Sequence, residues 1–210
     1  MAVKTTRVSA SIAFAASAAT LVVTLAACGS DSGTPSAGPS SPAPELASTS
    51  LPGTPTAASQ CPTAAPVNGT PEWTLPGATG SVAVTGSTDT TAPQVKVEGP
   101  FSVTETEVHT LKAGDGPIVA PTATVSVCYM GVNGRDGTVF DSSYERGAPE
   151  EFPLDRVVPG FQKAIAGQKV GSTIAVAMAP ADGYPDGQPS AGIQKGDTLV
   201  FAIKILDVVS

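Results

Sequence analysis

The sequence predicts an α+β fold in which an antiparallel β-sheet packs against one short α-helix. Residues 123–130 alternate strictly, with Val125, Val127 and Tyr129 on one face, which is the pattern of a half-buried strand. Residues 174–178 and 199–205 repeat this alternation. A single helical pattern fits between the strands. Several antiparallel strands with one helix make a layered architecture in which the helix covers the apolar face of the sheet.

The predicted helix begins near Pro159 and ends at Gly167. Proline suits a first helical turn because its missing N–H needs no acceptor there. Phe161, Ala164 and Ile165 form an apolar face at helical spacing. Glycine is the residue most often found just after a helix C-terminus, so Gly167 marks the end.

The first 27 residues predict a signal peptide. Lys4 and Arg7 make a positive start, and residues 8–27 carry no charge. The closing Leu25-Ala26-Ala27-Cys28 resembles a bacterial lipoprotein cut site, with cleavage before Cys28 and lipid on its thiol. This places the protein outside the cytoplasm, lipid-anchored to the cell membrane. A transmembrane anchor and a secretory signal with an incidental cysteine are the alternatives.

Three segments follow the signal peptide. Residues 28–60 consist largely of Ser, Thr, Pro, Gly and Ala, so we expect a lipidated, disordered linker. Residues 61–103 form an N-terminal extension, with one or two short extended segments before residue 93, which we expect to pack on the main domain. Residues 104–210 carry the sheet and helix patterns and make the main domain.

Charge and histidine content exclude several function classes. The formal net charge is −7, so no basic patch invites nucleic acid. His109 is the single histidine of the chain, so a histidine-based triad or a histidine-rich metal site lacks its second member. We expect His109 at the surface and no metal.

Four separated segments of the sequence contain the candidate residues of a functional site, and their order along the chain is informative. The first is Val139-Phe140-Asp141-Ser142-Ser143, directly after the glycine-containing turn Asn133-Gly134-Arg135-Asp136-Gly137. The others are Val157-Val158-Pro159-Gly160-Phe161, Gly183-Tyr184 and Leu199-Val200-Phe201. Together they resemble the pocket of the FKBP-type, macrolide-binding peptidyl-prolyl cis-trans isomerases. The resemblance implies that residues 104–210 are an FKBP-type isomerase domain, with a bent antiparallel sheet wrapped on one short helix.

The resemblance also implies the residues of the site. Those implied for catalysis are Tyr129, Phe140, Asp141, Tyr184 and Phe201. Those implied for substrate binding are Arg146, Val157, Val158, Phe161 and Ile193.

Each of these residues takes a role from the same resemblance. Phe161 is the floor under the proline ring, and three of the aromatic residues are walls. The Val158 backbone N–H and the Tyr184 hydroxyl hold substrate carbonyls. Asp141 is hydrogen-bonded to Tyr129 and paired with a nearby arginine, and Ile193 closes the pocket. Asp141 as a simple turn cap and Arg146 as a solvated side chain are the alternatives.

The sequence departs from the family pattern at three places. Phe161 stands where tryptophan is common, and Glu150 falls where many members have an aromatic wall. Tyr184 is followed by Pro185 rather than glycine, which alters its loop. These departures predict modest activity and weaker binding of macrolides.

The cysteines predict one disulfide bond. With Cys28 assigned to the lipid, Cys61 and Cys128 remain as an even pair in an oxidising compartment. Cys128 lies on the strand face opposite Tyr129, so a Cys61–Cys128 bond would pin residues 61–93 across the outer face of the sheet. Two free, inert thiols are the alternative.

Two functions from different classes fit these observations. The first is a peptidyl-prolyl isomerase that acts on exported or cell-surface proteins, with proline-containing unfolded polypeptides as its partners. The second is a module that binds proline segments or holds unfolded chains without catalysis. Neither requires a cofactor, because rotation of a peptide bond makes and breaks no covalent bond. The resemblance adds rapamycin-class macrolides as ligands, and we expect a monomer that meets the membrane only through its lipid.

Overall fold

The computed structural model describes residues 60–66 and 69–209, which form two antiparallel sheets packed on each other. The predicted signal peptide and the lipidated Cys28 lie outside the described residues, as does the linker up to residue 59. Within the described part of the chain, no helix is long and apolar enough to cross a membrane.

The first sheet has three strands and comes entirely from the predicted N-terminal extension. Its strands are β1 (Trp73–Pro76), β2 (Thr79–Thr85) and β3 (Gln94–Ser102), in that spatial order. All pairs are antiparallel, and Val84 lies opposite Trp73 on one side and Val95 on the other. The sequence predicted only one or two short extended segments before residue 93, and not the sheet that they form with β3.

The second sheet has six strands and carries the main core. Its strands are β4 (Glu107–Lys112), β5 (Thr124–Asn133), β6 (Val139–Ser142), β7 (Glu150–Pro153), β8 (Thr173–Met178) and β9 (Leu199–Val209). The spatial order is β4-β8-β9-β5-β6, and β7 pairs with β5 beyond the end of β6. The predicted α+β architecture is confirmed.

Two short α-helices accompany this sheet in the described part of the chain. Helix α2 (Pro159–Ile165) is the predicted helix, and it buries Phe161, Ala164 and Ile165 as the spacing indicated. It ends two residues before Gly167, whose left-handed φ of 82° carries the chain away from the helix axis. A second helix of one turn, α1 (Ser143–Arg146), was not predicted. Two 3₁₀ turns cover Pro180–Asp182 and Pro189–Ala191.

The two faces of the six-stranded sheet differ in side-chain size. The face under α2 carries large residues, among them Ile174, Val176 and Ile203, which are fully buried. The opposite face carries mainly small residues: Ala175, Ala177, Val200 and Ala202. The three-stranded sheet packs on these with Val82, Val84 and Phe101. Small side chains let the three-stranded sheet approach closely, so β8 is buried at all six positions.

Candidate functional site

A cavity of about 290 Å³ opens between α2, the middle of β5 and β9, and strands β6 and β7. Its lining is mostly aromatic or aliphatic, and it consists of Tyr129, Phe140, Asp141, Phe152, Arg156, Val157, Val158, Phe161, Tyr184 and Phe201. The volume is near the lower end of small-ligand pockets, which begin at roughly 300 Å³. Eight of the ten residues predicted for the site therefore line one cavity.

Phe161 forms the floor of this cavity. Helix α2 presents its ring from the buried face, and the residue is 5% exposed. The ring meets those of Phe201 and Phe152 edge-on, with centroids 5.5 Å from each, and that of Tyr129 at 6.1 Å. Edge-to-face contacts at these distances are the favoured aromatic geometry. The floor is therefore fixed on several sides.

Phe140 and Phe201 form one wall, and a glycine makes room for it. Their rings are perpendicular, with centroids 5.6 Å apart. Gly131 of β5 lies directly beneath them: a Cβ there would be 2.6 Å from Phe140 Cζ and 2.8 Å from Phe201 Cε1. No real Cβ approaches that closely, so the wall requires glycine at this position. The sequence analysis did not identify Gly131, although a glycine inside a strand signals close approach.

A charged network includes Tyr129 and Asp141 of the cavity lining. The Tyr129 hydroxyl donates to Asp141 Oδ2 at 2.5 Å, and Arg146 Nη1 donates to Asp141 Oδ1 at 2.7 Å. Arg146 Nη2 also donates to the Tyr129 hydroxyl oxygen at 3.0 Å and forms an ion pair with Glu150. The predicted contacts of Asp141 with Tyr129 and Arg146 are therefore present in the structure.

The network shifts the pKa values of two of its members. Burial raises the pKa of Tyr129 above its ordinary value, and the hydrogen bond to the Asp141 carboxylate adds to this rise. The hydrogen bond to Asp141 raises the pKa of Arg146 further above its already high value. Tyr129 therefore stays a neutral hydroxyl and Arg146 stays a cation at physiological pH, which keeps the geometry of the wall constant.

Two polar groups face the cavity without a protein partner. The Val158 N–H precedes the first turn of α2 and has no acceptor among the described residues. The Tyr184 hydroxyl is half-buried at the rim and likewise has no hydrogen-bond partner in the described part of the chain. Both are donors that a ligand carbonyl could accept from.

One of the sequence predictions requires correction. Ile193 does not line the cavity: it is 2% exposed and belongs to the main core. Gly192 has a left-handed φ of 70° and Ile193 pairs with Gln188 in an isolated bridge, which turns the side chain inward. Glu150 is not among the lining residues either, and its carboxylate bonds to Arg146 and the Tyr129 hydroxyl.

Phe152 supplies a further aromatic ring to the cavity wall, and sequence reasoning missed it. Its ring meets Tyr129 at 5.6 Å and Phe161 at 5.5 Å, both nearly edge-on. It lies two residues after Glu150 on β7, so both side chains point to the same face. The only indication in the sequence is an aromatic residue in a short run that ends at Pro153. This run is too short to show a periodicity. Arg156 at the rim was missed as well.

The N-terminal segment contacts the site through Cys61, which lies against Cys128 and Gly147. The sulfur atoms of Cys61 and Cys128 are in direct contact, and the Cys61 N–H donates to the Gly147 carbonyl at 3.1 Å. Gly147 is the residue that ends α1, the helix that carries Arg146. On the other side of Cys128, the Tyr129 N–H donates to the Ser143 hydroxyl at 2.8 Å. The segment therefore touches the elements that hold the charged network.

His109 lies far from this chemistry. It stacks on Trp73, with centroids 5.7 Å apart and an interplanar angle of 3°. The pair joins β4 to β1 at an exposed edge. Among the described residues, no group of three or more His, Cys, Asp or Glu side chains could hold a metal ion.

Comparison with known proteins identifies a family whose members this chain resembles. The family model described as "FKBP-type peptidyl-prolyl cis-trans isomerase" matches residues 116–206. A Streptomyces anulatus protein named "FK506-binding protein" is 32% identical over 119 residues, which cover 55% of this chain and 96% of that protein.

Two further relatives are longer than the matched region. A Haemophilus influenzae protein described as "Probable FKBP-type peptidyl-prolyl cis-trans isomerase" is 42% identical over 96 residues, 46% of this chain and 39% of that protein. The solved structure of FkpA from Escherichia coli is 36% identical, with a TM-score of 0.45, and the match covers 49% of this chain and 47% of that one. The chain thus spans less than half of the length of these two proteins.

Proposed function

Because this chain belongs to the family of FKBP-type peptidyl-prolyl cis-trans isomerases, we propose that residues 104–210 catalyse rotation about X–Pro peptide bonds. The observation that carries the proposal is the cavity floored by Phe161 and walled by four more aromatic rings. It is wide enough for a proline ring and has two unpaired donors at its edge.

The reaction needs no nucleophile or metal, only a surface that prefers the twisted amide. Uncatalysed rotation faces a barrier of about 18–20 kcal/mol, because it breaks amide resonance. The planar amide is the more dipolar state, since resonance separates charge between oxygen and nitrogen. An apolar aromatic cavity disfavours that state relative to the twisted one. A barrier lowered by about 5–6 kcal/mol accelerates the rotation roughly 10⁴-fold.

Each lining residue takes a role in this scheme. The proline ring lies on Phe161, between the Phe140–Phe201 wall and Phe152. The Val158 N–H and the Tyr184 hydroxyl donate to carbonyls on either side of the rotating bond and hold them while the amide turns. These two donors fix the ends of the substrate, so the rotation is confined to one bond.

Asp141 and its partners position the wall instead of transferring a proton. Tyr129 and Arg146 both donate to the Asp141 carboxylate, so its charge is compensated beside the apolar cavity. The Arg146 guanidinium also lies 5.8 Å from the centroid of the Tyr129 ring. We assign this network the task of holding the Tyr129 ring against Phe161.

The cellular setting is part of the proposal. The uncharged segment 8–27 and Cys28 support a lipid anchor outside the cytoplasm, with residues 28–60 as the tether. The partners are then exported or cell-surface polypeptides that contain proline. Macrolide binding is supported by the aromatic ring that Phe152 adds to the cavity wall and by the likeness to the Streptomyces anulatus protein named "FK506-binding protein". The alternative is a domain that binds proline segments without accelerating their rotation.

The proposal is tested by refolding a protein whose slow phase is limited by proline isomerisation, with the domain added in catalytic amounts. We expect acceleration by the wild type, and a loss of about tenfold or more in kcat/KM for Phe140→Ala and for Asp141→Leu. Lys96→Gln, on the outer sheet, is the matched control and should keep the wild-type rate. Binding of a proline peptide without acceleration by the wild type would support the alternative and reject catalysis.

A further inference from the structure

Arg156 lines the cavity but takes no part in the charged network. It is exposed, and it lies between β7 and α2, two residues before the Val158 N–H. Three arginines belong to the described part of the chain. Arg135 and Arg146 each form ion pairs with two carboxylates, whereas Arg156 has none within 4.0 Å among the described residues.

The charges around Arg156 do not neutralise it. Asp155 directly precedes Arg156, and Glu151 lies on the preceding strand, β7. Both are exposed, and neither forms an ion pair with Arg156. The charged network has two carboxylates for its single guanidinium, so it carries an excess negative charge. The guanidinium of Arg156 is therefore a cation of the cavity lining outside that network, in a chain whose formal charge is −7.

The backbone beneath Arg156 is fixed although its side chain is exposed. Leu154 is fully buried, and its N–H donates to the Ala123 carbonyl at 3.0 Å. The Arg156 N–H donates to the Pro153 carbonyl at 2.9 Å, which closes a turn. The guanidinium consequently projects from a rigid point, beside the path of any peptide held at Val158.

We propose that Arg156 makes this site selective for proline flanked by an acidic residue. This inference rests on the proposed isomerase function, and it specifies the substrate class. A Glu or Asp side chain next to the proline would reach the unpaired guanidinium, while a Lys or Arg there would be repelled.

The effect is measured with isosteric peptide pairs. The rates of cis-trans exchange of four-residue peptides that carry Glu or Gln before the proline, or Glu or Gln after it, are compared by NMR exchange spectroscopy. Because the ion pair would be exposed, we expect a Glu/Gln ratio in kcat/KM of about threefold at one of the two positions at low salt. The ratio should approach one in 1 M NaCl, where charges are screened within about 3 Å.

Substitutions of Arg156 separate charge from packing. The ratio should be kept in Arg156→Lys, fall to about one in Arg156→Gln and drop below one in Arg156→Glu. Lys96→Gln removes a positive charge from the far sheet and should leave the wild-type ratio unchanged. A wild-type ratio of one at both positions, or a ratio that survives Arg156→Gln, overturns the inference. Failure to accelerate either peptide of a pair would instead reject the isomerase function itself.

Discussion

At the scale of single residues, the site depends on side chains that are missing as much as on those present. Gly131 contributes no atom to the cavity lining, yet the rings of Phe140 and Phe201 occupy the space that its Cβ would need. Gly160 does the same beneath α2, where Met178 fills the equivalent space. Both glycines lie at φ values outside the left-handed region, so the requirement is spatial and not conformational.

We predict that Gly131→Ala destroys most of the activity by displacing the aromatic wall. Overpacking of this kind costs about 1–3 kcal/mol of stability, and we expect kcat/KM to fall more than tenfold at a temperature where the variant is folded. The matched control is Gly99→Ala on β3, where φ is 67° and the nearest heavy atom is 4.0 Å from the added Cβ. That change strains the backbone by about 1–2 kcal/mol but leaves the wall intact. Full activity in Gly131→Ala would contradict the wall as described.

Tyr144 gives a second prediction at this scale, on stability against pH. Burial raises the pKa of Tyr144 to about 12 from 10.0, and its hydroxyl donates to Ser87 at 2.8 Å. The folded-state value is the higher one, so the stabilisation is complete below pH 10 and is lost as pH rises from 10 towards 12. The neutral group contributes about 2–3 kcal/mol that disappears over this window.

Tyr144→Phe should therefore be less stable than the wild type at pH 8 by about 1 kcal/mol, because it lacks the hydrogen bond to Ser87. The free energies of unfolding of the wild type and the variant should become equal at about pH 11, because the variant has no phenol to ionise at this position. Urea unfolding at several pH values between pH 8 and pH 12 measures the difference in unfolding free energy between the two proteins. The titration of Tyr129 cancels in this difference, because both proteins contain that residue. Parallel curves across this range would show that Tyr144 titrates alike in the folded and unfolded chain.

At the scale of elements, the N-terminal segment braces the one-turn helix α1. A helix of four residues has no stability of its own. It is held here by Gly147, whose N–H donates to the Tyr144 carbonyl and whose carbonyl accepts from Cys61. Arg146 projects from this helix into the charged network, so the brace acts on the site through α1.

We predict that reducing the Cys61–Cys128 bond weakens both stability and activity. The bond would close a loop of 67 residues, which corresponds to about 4 kcal/mol of chain entropy in the unfolded state. Loss of the brace should also lower kcat/KM by about two- to fivefold, because Arg146 is held less firmly. Urea unfolding and refolding assays with and without a thiol reductant measure both effects.

The double variant Cys61→Ser, Cys128→Ser is the control, because added reductant should change neither its stability nor its rate. Mass analysis of non-reduced peptides decides whether the bond forms at all. Finding two free thiols at these positions would reject the bond, and the segment would then be held by its hydrogen bonds alone.

At the scale of the whole molecule, the sequence predicted the sheet-and-helix architecture but not how its parts are arranged. Strict alternation in residues 123–130 and the apolar face of Phe161 and Ile165 are local patterns, and both were read correctly. The neighbours of each strand depend on long-range pairing, so the position of β4 beside β8 could not be read from either segment. Ile193 was misplaced for the same reason, since a bridge to Gln188 sets its direction.

The three-stranded sheet was not predicted because the surface on which it packs consists mainly of small residues. Ala175, Ala177 and Ala202 give no strong hydrophobic signal, yet they receive Val84 and Phe101. The site was predicted more fully because the family resemblance supplied roles for residues that lie far apart in the chain. Phe152 and Arg156 were missed, since they fall between the four segments that carry the resemblance.

The last prediction concerns the place of the molecule in the cell. Cys28→Ser removes the thiol that would carry the lipid but leaves residues 8–27 unchanged. If two acyl chains form the anchor and residues 8–27 are still removed, the variant should move from the membrane fraction to the soluble extracytoplasmic fraction, because the thiol that carries the acyl chains is gone. Cys61→Ser keeps Cys28 and should stay in the membrane fraction, which controls for the loss of a cysteine. A Cys28→Ser variant that remains with the membrane would instead identify residues 8–27 as a spanning anchor, since an uncharged apolar run of that length nearly suffices to cross the bilayer.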